Sequence, residues 1–351
     1  MNDHRSFAKC KRRKLVAITE GLPVTKDLAV KSKIVRRANG VAHQLRAKCS
    51  YSYRSKMEPA RASRTAEYMA LYRAMESARP CGRRLFTDPF AIHFLRPALR
   101  RAAVLCRVPL FAVAVAWYAD RRAPGARTSA IARTRLIDDV VFQALTDGIR
   151  QVVILGAGFD CRLYRLTGID RVVGFEVDHP ATLAAKLSRL QHVIRNLPGN
   201  VRYVEIDFDR QNLAEALEHK GFDRGQPSIF VWEGVTNYLS AEAVNAVLCY
   251  VAGCAAGTRA AFTYVHRGAI DGSASFPDAA RMIRNVAKLG EPWTFGFVPE
   301  ELPSYLRNRG LQLDRDDDAR QYRHEYFGRA AESMKGYDFY HVAVVRVPGR
   351  I

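Results

Sequence analysis

The sequence lacks the cysteine arrangements of disulfide-stabilised and zinc-binding proteins. Its seven cysteines include no C-x-x-C pair, and an odd number cannot form a complete disulfide framework. No cluster of His and Cys has zinc-ligand spacing. The sequence therefore predicts reduced thiols, no metal and a cytoplasmic location.

Long uninterrupted apolar runs are also missing. The most apolar stretch, residues 102–119, is interrupted by Arg107 and Pro109, whereas a membrane span needs about 20 apolar residues. The remaining run, Val108 to Ala119, predicts a buried helix or a lid helix, and we expect no membrane partner. The sequence contains no internal repeat and no low-complexity segment.

Acidic residues are scarce at the N-terminus. Residues 1–61 contain 16 Lys or Arg and 4 Asp or Glu, which gives a net +12 of the total +20. This composition predicts a disordered basic extension over 1–61, followed by one domain over 62–351. An alternative is that translation starts at Met57. We do not expect a nucleic-acid partner, because Phe7, Tyr51 and Tyr53 are the extension's only aromatic residues.

Residues 149–178 have the pattern of a nucleotide-binding unit. A short apolar run, 151–155, is followed by Gly156 and Gly158, a segment long enough for one short helix, and a second apolar run that ends at Asp178. Gly156 allows a sharp turn, and Gly158 allows a ligand to approach the backbone. At 20 residues beyond Gly158, Asp178 is expected to accept the ribose hydroxyls.

The third glycine of the dinucleotide fingerprint G-x-G-x-x-G is absent. Cys161 occupies that position, which favours a nucleoside ligand without a pyrophosphate.

Strands alternate with helices through the rest of the chain. Further strands are predicted near 171–177, 201–206, 228–232, 259–265, 311–314 and 338–347, and helices near 180–195, 210–219, 240–255, 278–288 and 299–309. Such alternation predicts an α/β fold with a doubly wound, mainly parallel, seven-stranded sheet. Ligands bind at the carboxyl ends of the strands in sheets of this kind.

Several motifs resemble those of the leucine carboxyl methyltransferase family. They are Ile154 to Asp160 with Arg162, Arg165 and Leu166; Phe175 to Pro180; Arg133 to Asp139; and Glu233 to Leu239. The resemblance covers roughly 63–347 and is nearest to the bacterial branch. It implies a class I methyltransferase fold that binds S-adenosyl-L-methionine, with an antiparallel last strand. It also implies a helical cap over 62–148, a sheet domain over 149–351 and a substrate insertion near 268–300.

The resemblance also implies roles for individual residues. Arg133, with Arg135 as runner-up, would contact the carboxylate of the cofactor's methionine part. Asp207 would accept a hydrogen bond from the adenine amino group, and Phe208 would pack beside the ring. Glu233 would face the positively charged end. With Gly156, Gly158 and Asp178, these residues form the predicted cofactor site.

The resulting hypothesis is transfer of a methyl group to an oxygen atom of a small-molecule acceptor. A carboxylate acceptor needs no general base, whereas a hydroxyl acceptor would need one, for which His266 and Tyr264 are weak candidates. No catalytic residue is assigned. The alternatives are an NAD-dependent oxidoreductase on a Rossmann-like sheet, and a non-catalytic protein that binds nucleic acid through its basic extension.

Overall fold

The computed structural model describes residues 64–207 and 211–349. The predicted basic extension, 1–61, and Phe208 lie outside these residues, so what is said of them stays a prediction.

The seven predicted strands form one sheet. Its strand order is β3-β2-β1-β4-β5-β7-β6. The strands are β1 Gln151–Leu155, β2 Val173–Asp178, β3 Val201–Glu205, β4 Ser228–Trp232, β5 Arg259–Val265, β6 Gln312–Asp318 and β7 Tyr340–Arg346.

Strand direction locates the ligand-binding edge of this sheet. Strands β1 to β5 run parallel, and β7 lies antiparallel between β5 and β6, as the family resemblance implies. The strand order reverses between β1 and β4. In open α/β sheets, ligands bind at such a reversal, outside the carboxyl ends of the strands.

Helices cover both faces of the sheet. They are α1 Arg64–Ser77, α2 Pro97–Leu105, α3 Pro109–Arg122, α4 Ala126–Thr146, α5 Arg162–Arg165, α6 Pro180–Gln191, α7 Leu213–His219, α8 Ala241–Ala252, α9 Arg267–Asp271, α10 Ala279–Lys288, α11 Leu302–Arg307 and α12 Ala319–Phe327.

Alternate residues of the strands supply the two apolar layers beneath these helices. Val153 and Leu155 belong to the core shared with α7, α8 and α11. Val152 and Ile154 belong to the core shared with α4, α5 and α12. Successive side chains of β1 thus point into two different apolar layers, one on each face of the sheet. Because both faces are buried, the run is apolar throughout. The predicted doubly wound fold is confirmed.

A third apolar cluster joins α1, α2 and α3 to residues 265–293. Phe86 is buried in it, and Phe90 meets Tyr164 edge-on. The helix predicted from Val108 is present as α3. Of the two alternatives predicted for it, the buried helix is wrong, because no residue of α3 is buried, and the lid helix stays a prediction.

Some element bounds differ from the predicted ones. Strand β6 extends to Asp318 rather than to 314, with a bulge between Leu313 and Arg315. Its QLDRDDD sequence is poor in strand-forming residues, but β6 is an edge strand, where charged side chains reach water. Within 64–207 and 211–349, no helix is both long enough and apolar enough to cross a bilayer.

Candidate cofactor site

The chain leaves β1 through the predicted glycine turn. Gly156 and Gly158 both have positive φ, +64° and +42°. The N–H of Gly156 donates to the carbonyl of Val177 at 2.8 Å, which ties the turn to β2. A Cβ at Gly156 would lie 2.4 Å from the Val235 side chain, whereas a Cβ at Gly158 would have no neighbour closer than 3.7 Å. The fold therefore needs Gly156, and the side of the turn at Gly158 is open.

Asp178 ends β2 beside this turn. The N–H groups of Gly158 and His179 donate to its two carboxylate oxygens, each at 2.6 Å. Burial raises the pKa of this carboxyl, against the lowering effect of the two hydrogen bonds. These bonds hold the carboxylate at the mouth of the glycine turn, the position that the spacing from Gly158 predicts.

Asp207 lies two residues beyond the end of β3. The N–H of Ile206 donates to the carbonyl of Asp178 at 3.0 Å, so Asp207 directly follows a contact with Asp178. The N-cap of α7 is Asn212, so the helix after β3 takes its cap from another residue. Asp207 is partly exposed at the same edge of the sheet as Asp178.

Arg133 and Glu233 form an ion pair. Arg133 comes from α4 and Glu233 follows β4, and the arginine Nε donates to Oε1 at 2.8 Å. The Arg133 guanidinium also lies 4.7 Å from the centre of the Tyr340 ring, and its side chain is almost fully buried. Arg135 instead pairs with Asp139 and is partly exposed. The structure thus brings Arg133 to the glycine-turn edge and leaves Arg135 away from Glu233.

Arg162 is a member of this site that the sequence did not assign a role. Its Nε donates to Asp138 and its Nη1 to the second oxygen of Glu233, both at 2.8 Å, and it also pairs with Asp160. Arg162 and Asp138 both lie in the family-like segments named in the sequence analysis, Arg162 after Ile154 to Asp160 and Asp138 within Arg133 to Asp139. Nothing in the spacing of those motifs indicates that the two side chains meet.

The charge of Glu233 is fixed by its neighbours. Burial alone would raise the pKa of its carboxyl, but the charges of Arg162 and Arg133 outweigh burial and lower the pKa to about 2. The acid is therefore ionised at neutral pH. Ser240, rather than Glu233, caps α8.

The side chains at this edge of the sheet suit a nucleoside with a zwitterionic tail. Arg133 offers a guanidinium to a carboxylate, and Glu233 offers a carboxylate to an ammonium or sulfonium group. Asp178 has the acceptor oxygens that a ribose diol needs. Arg133 comes from α4, Glu233 follows β4 and Asp178 ends β2, and the three lie at one edge of the sheet.

The two weak candidates for a general base have other contacts. Tyr264 is fully buried, and its hydroxyl donates to Asp316 at 2.6 Å. His266 is the N-cap of α9, and its Nδ1 accepts the N–H of Gly268 at 3.0 Å. In the neutral ring, Nε2 then carries the proton, so neither nitrogen is free to accept one.

Comparison with known proteins identifies the family. The leucine carboxyl methyltransferase model matches residues 66–252. A Frankia alni protein, provisionally named an S-adenosyl-L-methionine-dependent methyltransferase, is 34% identical over 264 residues, which are 74% of this chain and 85% of that protein. A Mycobacterium sp. (strain JLS) protein with the same provisional name is 32% identical over 52% of this chain and 61% of its own length.

Two solved structures share the fold. A DUF574 family protein of Streptomyces avermitilis has a TM-score of 0.54 at 17% identity, covering 82% of this chain and 98% of that one. A provisionally described methyltransferase of Thermobifida fusca has a TM-score of 0.52 at 18% identity, covering 80% and 94%. The family match decides against the oxidoreductase alternative. The chain belongs to the leucine carboxyl methyltransferase family and is an S-adenosyl-L-methionine-dependent methyltransferase.

Proposed function

We propose that Arg133, Glu233, Asp178, Asp207 and the turn at Gly158 hold S-adenosyl-L-methionine. The observation that carries this proposal is the Arg133–Glu233 ion pair beside the glycine turn. Opposite charges at adjacent positions suit the carboxylate and the positively charged groups of the methionine part. Asp178 suits the ribose, and Asp207 suits the adenine amino group. Phe208 remains the predicted neighbour of the adenine ring.

The bound cofactor supplies a methyl group on a sulfonium, which is already a good electrophile. The protein then has to bind and orient the cofactor and the acceptor, and to exclude water. Glu233 stays ionised because of its lowered pKa. Arg162 also donates to one oxygen of Glu233, so the carboxylate would keep a cationic partner if Arg133 turned toward the cofactor's carboxylate.

The residue assignments are tested by titrating two nucleosides calorimetrically. S-adenosylhomocysteine has the amino-acid end, and 5′-methylthioadenosine lacks it. Arg133→Gln is expected to weaken the binding of S-adenosylhomocysteine by about 1–3 kcal/mol, since a charge-assisted bond is lost. The binding of 5′-methylthioadenosine should not change. Asp178→Ala is expected to weaken the binding of both ligands by a similar amount, because both carry the ribose.

Arg135→Gln is the matched control, because it removes the same charge from the same helix at the arginine that does not reach Glu233. It should bind both nucleosides normally. Full affinity of Arg133→Gln for S-adenosylhomocysteine would contradict the assignment of Arg133. Retained binding of 5′-methylthioadenosine shows that this variant is folded.

We further propose that the acceptor is a carboxylate of a small molecule. The contacts of Tyr264 and His266 leave neither side chain free as a general base. A carboxylate is ionised at neutral pH and needs no base, whereas a hydroxyl acceptor would need one.

The acceptor is proposed to approach at a shallow surface cleft where the helical cap meets the 268–300 insertion. The cleft is lined by Pro124 from the cap, Met282 from α10 and Tyr337, among others. Tyr337 stacks on Tyr340 with ring centres 5.3 Å apart, and Tyr340 faces Arg133. The cleft is thus one aromatic layer away from the proposed methionine site.

The chemistry of the product distinguishes the two acceptor types. We expect tritiated S-adenosyl-L-methionine to label extracted small molecules as methyl esters, which mild base hydrolyses to volatile methanol. A base-stable product would contradict the carboxylate acceptor and would indicate a hydroxyl acceptor instead. Met282→Trp, which narrows the cleft, should reduce labelling while S-adenosylhomocysteine still binds. Unchanged labelling in that variant would contradict the proposed entrance.

A further inference from the structure

Helix α3 packs mainly small side chains against the protein and exposes most of its large ones. Ala112, Ala116 and Ala119 are partly buried and, with Val115, pack against the third apolar cluster of the fold, which includes residues of α1 and α2. The large apolar side chains are exposed: Leu110 by 77%, Phe111 by 47%, Val113 by 69%, Trp117 by 62% and Tyr118 by 60%. An ordinary surface helix has the opposite arrangement.

The five large side chains form one continuous face. At 3.6 residues per turn they span about 160° of the helix surface. Val104, Leu105 and Val108, just ahead of α3, are also exposed, by 43–48%. Scattered exposed apolar residues are common, but a contiguous group of this kind marks a contact surface.

Basic residues border this face. Arg100, Arg101, Arg107, Arg121 and Arg122 are exposed, and the Arg121 guanidinium lies 5.7 Å from the centre of the Trp117 ring. The one acid among residues 97–122 is Asp120, and it pairs with Arg127 at 2.7 Å. We call Leu110, Phe111, Val113, Trp117, Tyr118 and these five arginines the α3 face.

We propose that the α3 face docks on the surface of a membrane that contains anionic lipid. An apolar stripe flanked by arginines, with Trp and Tyr among its exposed residues, suits the boundary between headgroups and acyl chains. At 14 residues, α3 is shorter than a span and would lie in the plane of the interface. A second copy of the chain is a poorer partner, because a two-fold contact would bring the same arginines together without acids.

This proposal departs from the expectation of no membrane partner. That expectation rests on the length of the apolar run, and length does not reveal which side of the helix faces solvent. Docking of this kind is also independent of the proposed cofactor site, since no residue of the α3 face belongs to it.

The tryptophans provide a local probe of docking. The chain has three, and Trp232 and Trp293 are buried whereas Trp117 is 62% exposed. Phosphatidylcholine vesicles with about 30 mol% phosphatidylserine should shift the emission of the full chain to the blue, and brominated acyl chains should quench it. Pure phosphatidylcholine vesicles should give a much smaller effect. Trp117→Phe should abolish the shift while the protein still sediments with vesicles.

Matched substitutions separate the α3 face from the rest of the chain. Leu110→Ser with Val113→Ser should lower vesicle partitioning at least about tenfold, whereas Phe142→Ser, 57% exposed on α4, should not. Arg100→Gln, Arg101→Gln and Arg107→Gln together should reduce the dependence on phosphatidylserine. Substituting Gln at three exposed arginines elsewhere, Arg171, Arg195 and Arg307, removes the same charge and should have little effect on the dependence on phosphatidylserine.

Three outcomes would overturn the proposal. Binding to anionic vesicles without a Trp117 shift would assign the binding to the basic N-terminal residues. Equal binding to vesicles with and without phosphatidylserine would show that lipid charge has no role. A dimer in vesicle-free sedimentation that Leu110→Ser and Val113→Ser dissociate would make a second copy the occupant of the α3 face.

Discussion

At the scale of single residues, the two glycines after β1 differ in what a side chain would meet. Gly156→Ala would combine a positive φ with a Cβ 2.4 Å from Val235, and we expect it to reduce the free energy of unfolding by about 2–4 kcal/mol. Gly158→Ala meets no close neighbour, so we expect a smaller stability loss but about tenfold weaker binding of S-adenosylhomocysteine, or about 1.4 kcal/mol. Urea denaturation and calorimetric titration measure the two effects. Normal binding by folded Gly158→Ala would mean that the turn only shapes the backbone.

The sequence predicts those site residues that its strand pattern places at strand ends. Asp178 and Glu233 each follow an apolar run, and the structure puts them at one edge of the sheet. Their chemical roles still await the titrations proposed above. The Arg162 cluster could not be predicted in this way, because its partners Asp138 and Glu233 are 24 and 71 residues distant. Only the packing of α4 and β4 around α5 brings them together.

At the scale of elements, a buried ion pair joins α6 to β2. Lys186 Nζ lies 2.6 Å from Glu176 Oε1, and both side chains are almost completely buried. We expect Lys186→Met to lower the free energy of unfolding by about 3–5 kcal/mol, because Glu176 would remain buried without its counter-charge. The double variant with Glu176→Leu should recover most of that loss. A double variant no more stable than Lys186→Met in urea denaturation would show that packing, rather than the unpaired charge, is responsible.

Element type was more predictable than element environment. The apolar runs of β1, β2 and β4 are bounded by turn residues and lie in a parallel sheet, where both faces are buried. The similar apolar content of α3 could not show that its large side chains face solvent, because hydropathy does not record which neighbours a helix has. Strand β6 was predicted too short, since its acids are tolerated only because the strand lies at the sheet edge.

At the scale of the whole molecule, an acid-sensitive network connects α4, α5 and the end of β4. The pKa of Glu233 falls from 4.5 to about 2 in the folded protein. A lowered pKa stabilises the fold above pH 4.5, and this contribution is lost as the pH falls from 4.5 toward 2. Glu233→Gln should therefore show a smaller loss of stability over this interval than the parent chain, measured as the change in urea midpoint. Equal changes in both proteins would show that Glu233 does not contribute to acid unfolding.

The position of β7 has a consequence for synthesis on the ribosome. This strand, Tyr340–Arg346, lies between β5 and β6 and pairs with both. A nascent chain that has already released β1 to β6 still has an unpaired β5 edge, ready to pair with any other extended chain. The sheet cannot close until the residues of β7 emerge. A stop codon just before Tyr340 would thus remove only a few per cent of the chain and leave the product open to aggregation rather than merely less active.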